Sequence, residues 1–219
     1  MPQIDVRLGM IQFVVLLLAL TVHESAHAWT SNRLGDPTAR MLGRISLNPL
    51  VHIDPFGTIL FPLLAIFFGI PVLGWAKPVP FNPRYLSDPK RDWMLIAGAG
   101  PLSNFAQALL FGAALQLLRP GAASSAAPAA AYLEPLLLLC YFGVMINLAL
   151  AVFNLIPVPP LDGGGVLQGV LPSGATQALE NLRPYGLFIL YALMFSGAIG
   201  ALYRAVVLPL TRWLTATPL

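Results

Sequence analysis

The chain has 219 residues, of which 57% are hydrophobic and 10% charged, and its mean hydropathy is +0.76. A soluble domain carries about 25% charged residues, so this composition excludes a chain that can cover itself with polar side chains, and its solvent is expected to be lipid. The formal charge of +3 is scattered over loops and gives no case for nucleic acid, and the single cysteine, Cys140, excludes an intrachain disulfide or a cysteine-built metal site.

The first apolar run, at 8–30, is long enough to cross a hydrocarbon core. Its N-terminal flank lacks the basic leader and small-residue cleavage site of a signal peptide, so it is expected to be retained as a helix. The stretch 31–55 then carries Arg33, Arg40 and Arg44, and 77–92 carries Lys77, Arg84, Lys90 and Arg91, whereas Arg119 stands alone in 119–134. The bias of Lys and Arg toward inner loops puts both basic stretches on the cytoplasmic side. Between them, 56–76 contains Gly57, Pro62, Gly69, Pro71 and Gly74. Irregular backbone at membrane depth is tolerated only against protein or a wet cavity. A re-entrant element or tight hairpin that begins and ends inside fits the charges, and a single kinked spanning helix is the alternative. The following WAKPVPFNP has proline at alternate positions and can be extended only as an edge strand or loop.

Further runs at 93–118, 135–160 and 186–210 are expected to span, the last as one helix or a broken pair. The low-complexity stretch from Arg119 to Ala131 reads as a flexible loop. The expected fold is an all-α polytopic membrane protein of about 4–6 transmembrane helices, with a re-entrant or short extended β element between the first two core helices. One membrane-embedded domain is expected over 1–219.

The chemistry-bearing residues begin at the end of the first run, in HESAH. On a helix, positions i and i+4 share a face, so His23 and His27 can offer two imidazoles to one ion while Glu24 stands beside it. This is the HExxH zinc arrangement, in which two neutral histidines are ligands and the glutamate takes a proton from water. Ionisable groups in a span are costly and point to function. A catalytic zinc takes three protein ligands, and the candidates for the third are His52, Asp54 and Asp162. Asp162 lies in NLIPVPPLDGGG, where Pro157, Pro159 and Pro160 end a helix and Gly163 to Gly165 permit close backbone approach.

HESAH ending one span, AGAGPLSNF at 97–105 opening another and NLIPVPPLDGG at 154–164 ending a third resemble, in that order, the motifs of the site-2 protease family of intramembrane zinc metalloproteases. Short bacterial members without PDZ or CBS domains are the most similar, and they share the type of segment running from Arg33 to Thr58. The resemblance implies His23, His27 and Asp162 as ligands of one Zn2+ per chain, Glu24 as general base, and Asn154 as a group that holds the substrate strand or the tetrahedral oxyanion. Asn147, two turns earlier on the same helix face, either lines that cavity or makes a buried helix–helix hydrogen bond. Gly98, Gly100 and Pro101 are read as packing. His52 either gates the site, binds substrate or is a spare ligand, or it is a loop histidine satisfied by backbone carbonyls. The implied activity is hydrolysis of peptide bonds in or near transmembrane segments of membrane-protein substrates. It implies a multi-pass protein of the bacterial inner membrane, in contact with the lipid bilayer, with its site toward the cytoplasm. A catalytically inactive scaffold or chaperone for transmembrane helices, and a metal transporter, are the rival readings.

Overall fold

The computed structural model describes residues 5–68, 75–124 and 127–216. Helix α1, Val6–Arg33, is capped by Asp5, whose Oδ1 accepts from the N–H groups of Arg7 and Leu8 at 3.0 and 3.2 Å. A short α2, Thr38–Met41, follows, and then a wide helical turn over Pro55–Leu60 leads into α3, Phe61–Phe68. Helices α4, Pro89–Ser124, and α5, Ala127–Asn154, complete the long elements. Four short helices come next: α6, Asp162–Val170; α7, Ser173–Asn181; α8, Gly186–Phe195; and α9, Ala198–Leu202. A wide turn over Tyr203–Val207 then enters α10, Leu208–Thr215. Among the described residues there is no β-strand.

Helix α4 is the centre of the bundle, packing against α1, α5 and α6, with α1 also on α5. Its inner face meets a core of Ala108, Val144, Leu148 and Val207, closed by Phe105, Phe111 and Leu214. Its outer face leaves Leu102, Leu109, Leu110 and Leu117 exposed, an apolar surface that suits lipid tails. Three helices are long and apolar enough to cross a membrane: Val6–Arg33, Pro89–Arg119 and Leu133–Asn154. The pair Ser173–Phe195 and Ala198–Thr215 makes a fourth if counted as one span, bent by 66°. The 186–210 run is therefore a broken pair, and the break falls at Gly197, whose φ of +79° favours glycine.

One expectation fails. Residues 119–124 and 127–131 are helical and not loop, because α4 continues to Ser124 and α5 begins at Ala127; 125–126 lie outside the described residues. Alanine is the strongest helix former, and Pro128 stands in the first turn of α5, where its missing N–H is no loss.

The two ends of 56–76 meet. Trp75 N–H donates to the Gly57 carbonyl at 3.1 Å, and the Thr58 hydroxyl donates to the Trp75 carbonyl at 2.8 Å. A chain that returns to its starting point is a hairpin and not one kinked crossing; residues 69–74 lie outside the described residues. The returning backbone over Trp75–Asn82 is irregular, in neither helix nor strand. It is pinned to the 44–52 loop by Lys77 N–H on the His52 carbonyl at 2.8 Å and by the Arg44 guanidinium, which donates to the Val51, Lys77 and Pro78 carbonyls. Both basic stretches thus sit at one end of the bundle.

Candidate metal centre

Helical spacing puts His23 and His27 on the α1 face that packs against α4, both buried, with Nε2 atoms 3.1 Å apart. The proline-rich turn after α5 reverses the chain so that Asp162 opens α6 directly opposite. Gly163 lets that turn close, because a Cβ there would stand 2.3 Å from the Leu155 carbonyl oxygen. Asp162 Oδ2 ends 3.1 Å from His23 Nε2 and 3.4 Å from His27 Nε2. One ligand atom from each of the three residues lies within 4.8 Å of the others.

The protons on the imidazoles follow from their other nitrogens. His27 Nδ1 lies 2.7 Å from the Ile96 carbonyl and His23 Nδ1 lies 2.6 Å from Asn104 Oδ1. Oxygen acceptors require Nδ1–H donors, so each neutral ring presents a bare Nε2 lone pair. Asp162 Oδ2 is buried and no hydrogen bond reaches it. Three lone pairs facing one another in a buried site are repulsive unless a cation lies between them. Two ligands about 2.0–2.1 Å from a tetrahedral zinc stand roughly 3.3 Å apart, close to the spacing seen here. The donor set, N, N and O with one position left for water, fits zinc. Glu24, half-buried, follows His23, and Arg44 and His52 lie within its electrostatic reach.

The other candidates are elsewhere. Asp54 caps the Pro55–Leu60 turn, accepting from Phe56 and Gly57 N–H at 3.0 and 2.7 Å, so it is no ligand. His52 is buried behind α1; its Nε2 donates to the Ser46 carbonyl at 2.8 Å and lies 3.3 Å from the Ser25 hydroxyl. Burial pushes the His52 imidazole below its ordinary pKa and the Arg44 charge adds to this, against the Ser46 carbonyl and Glu24; the ring is not among the three residues whose ligand atoms converge. Asn154 donates to the Leu150 carbonyl of its own helix at 3.0 Å, which leaves one N–H of its amide for other use. Asn147 is fully buried and bonded to Asn104 at 2.8 Å. That removes it from contact with a substrate and makes it the helix–helix bridge. Two residues read as packing or not singled out belong to the centre. A Cβ on Gly100 would lie 2.3 Å from His27 Nε2, and Asn104 holds His23. The sequence signals for Asn104 are its place in the AGAGPLSNF motif and an amide inside an apolar helix.

The profile of Peptidase family M50 matches residues 122–197, a stretch that includes Asp162 but not the histidines. Over 190 residues the chain is 36% identical to a Bacillus subtilis protein named "Putative zinc metalloprotease YwhC", covering 86% of this chain and 81% of that one. The chain belongs to peptidase family M50, the site-2 proteases. "Putative zinc metalloprotease Rip2" of Mycobacterium tuberculosis is 29% identical over 196 residues, 87% of this M50 chain and 69% of that one. Its namesake from Mycolicibacterium smegmatis is 28% identical over 193 residues, 84% and 66%. No solved structure matches the chain.

Proposed function

We propose that this M50 protein is an intramembrane zinc metalloprotease that hydrolyses peptide bonds in or near transmembrane segments of membrane proteins. The observation that carries this is the convergence of His23, His27 and Asp162 beside Glu24 at the end of an apolar helix. His23, His27 and Asp162 would hold one zinc per chain, which would supply Lewis acidity and bring the pKa of a water at its open position toward about 7. Glu24 takes the proton from the attacking water and gives it to the leaving amine nitrogen. Asn154 has one N–H left to donate to the developing oxyanion once a substrate is present.

Substrate reaches this site from the bilayer. A cavity of about 470 Å³ opens among α1, α5 and the C-terminal helices, lined by Leu16, Leu20, Thr58, Phe153 and Ile156. Leu20 is one turn before His23 and Ile156 is six residues before Asp162, so an apolar segment seated there lies close to the ligand set. A helix must unwind to expose its carbonyl, and the Trp75–Asn82 backbone, outside any helix, offers main-chain groups to which the unwound strand adds. The hairpin and the single domain frame a site that faces the cytoplasm of a bacterial inner membrane.

The deciding experiment compares wild type with Glu24→Gln in reconstituted membranes. Zinc content is expected to stay at one per chain while cleavage falls by roughly 10²–10⁴-fold. Undiminished cleavage would overturn the role of Glu24. A wild type that binds membrane segments but leaves them intact would favour a scaffold.

A further inference from the structure

Asn104 on α4 and Asn147 on α5 are both fully buried in the membrane core, where an amide is costly unless its groups are bonded. They form a hydrogen-bonded chain whose direction is fixed at its far end. Asn147 Nδ2 donates to the Gly143 carbonyl at 2.9 Å, a group that can only accept. Its Oδ1 is thereby turned toward Asn104 and accepts from Asn104 Nδ2 at 2.8 Å. The same Nδ2 faces a second pure acceptor, the Ala19 carbonyl, at 3.4 Å. Asn104 is left with Oδ1 toward His23 Nδ1 at 2.6 Å.

We infer that Asn104 and Asn147 are positioning residues that set the tautomer and ring orientation of His23, with a backbone carbonyl of α5 as the reference. The inference rests on the reading of His23 as a metal ligand. Turning the Asn104 amide over would set its oxygen against both the Ala19 carbonyl and Asn147 Oδ1, and would set its NH2 against His23 Nδ1. That arrangement demands a proton on His23 Nε2, the atom that faces His27 and Asp162. Turning Asn147 as well only moves the clash to the Gly143 carbonyl. One arrangement of the three side chains sets no acceptor against an acceptor and no donor against a donor along this series, and it leaves Nε2 bare. His27 reaches the same state through the Ile96 carbonyl alone, so only the His23 half of the site depends on side chains from two other helices. Outer partners of this kind change metal affinity by about 10–100-fold when removed.

The test is zinc affinity of the full-length protein in detergent, read by competition with a chelator. Asn104→Leu keeps the bulk but has no acceptor, and is expected to weaken binding by about 10–100-fold. Asn104→Asp keeps an acceptor toward Nδ1 and is expected to stay within about threefold of wild type. A packing role predicts the reverse order, because leucine fills the space without charge whereas a buried carboxylate is costly. Asn147→Leu should weaken binding less than Asn104→Leu, since the Ala19 carbonyl still orients Asn104. Placed on Asn104→Asp it should cost nothing further, because a carboxylate has no donor to aim. Wild-type affinity in Asn104→Leu, or weaker binding by Asn104→Asp than by Asn104→Leu, would overturn the inference. Undiminished affinity in His23→Ala would overturn the ligand reading beneath it.

Discussion

Gly100 carries no side chain at a point where one would collide with both imidazoles. A Cβ there stands 2.3 Å from His27 Nε2 and 2.6 Å from His23 Nε2, distances no relaxed contact reaches, whereas a Cβ on Gly98 meets only Val166 Cγ2 at an ordinary 3.7 Å. The two glycines lie two residues apart in one helix, so they separate the space needed by the site from the general closeness of helices. Gly100→Ala is expected to weaken zinc binding by at least about tenfold and to lower activity with it, while Gly98→Ala keeps both. Chelator competition on the two purified variants checks this, and equal behaviour of the pair would show that Gly100 serves packing alone. This distinction was beyond the sequence. The i, i+4 histidines declare their shared face through spacing, and Asp162 stands out in a proline–glycine run, but which glycine of GAGPLSNF touches a ring depends on how α4 is rotated against α1.

Between elements, the most heavily bonded carboxylate outside the site is Asp36, buried just after α1. It accepts from the Ser31 hydroxyl at the end of α1 at 3.2 Å, from Thr38 N–H at 2.9 Å and the Thr38 hydroxyl at 2.5 Å, and from Asn82 N–H at 2.6 Å. One side chain therefore ties the end of α1 to α2 and to Asn82, at the end of the irregular segment behind the hairpin. Burial alone would push the Asp36 carboxyl up, but the Thr38 hydroxyl, the Asn82 and Thr38 N–H groups and the Ser31 hydroxyl all favour the charged form and hold it below the usual carboxylate range. A folded-state pKa below the unfolded one gives stability that is present above the ordinary carboxylate pKa and is lost as pH falls through that range. Asp36→Asn keeps one acceptor and cannot serve four donors, so it should cost about 1–3 kcal/mol near neutrality. The gap to wild type should close on acidification from about pH 5 toward pH 3. Thermal unfolding in detergent across that range measures it, and a gap that stays constant would mean the charge of Asp36 is not what holds the three segments. The elements themselves were legible where apolar runs are long and were not legible at their ends. Length and hydropathy mark α1, α4 and α5, but the alanine-rich stretch around the α4 and α5 ends carries no hydrophobic pattern and reads as loop, although alanine's backbone preference is helical. The bend at Gly197 has a local signal, a glycine free to take positive φ, that nothing in the sequence distinguishes from glycines inside helices.

For the whole molecule, the question is which segments share a side of the membrane. The ion pair between Arg7 and Glu134, 3.2 Å, puts the beginnings of α1 and α5 together at one end, while the Arg44 and Asp36 bonds gather 34–55 and 75–88 at the other. Trp29, exposed with the Arg33 guanidinium 5.1 Å over its ring, marks that second end as an interface with headgroups. The meeting of Gly57 with Trp75 puts both ends of 56–76 on one side, and the charge bias of the sequence predicts that this side is the cytoplasmic one. Cys140 is the chain's one cysteine and is buried, so a Cys140→Ala background can carry single reporters. Leu47→Cys and Tyr85→Cys, both at exposed positions flanking the hairpin, should react with a membrane-impermeant maleimide from the cytoplasmic face only, and Val6→Cys, exposed at the start of α1, from the opposite face only. The charge rule alone is statistical and would survive one misplaced loop. The hairpin would not: if Leu47→Cys and Tyr85→Cys label from opposite faces, 56–76 crosses the membrane, the Trp75–Asn82 segment leaves the side on which His23, Glu24 and His27 lie, and substrate addition along it becomes geometrically impossible.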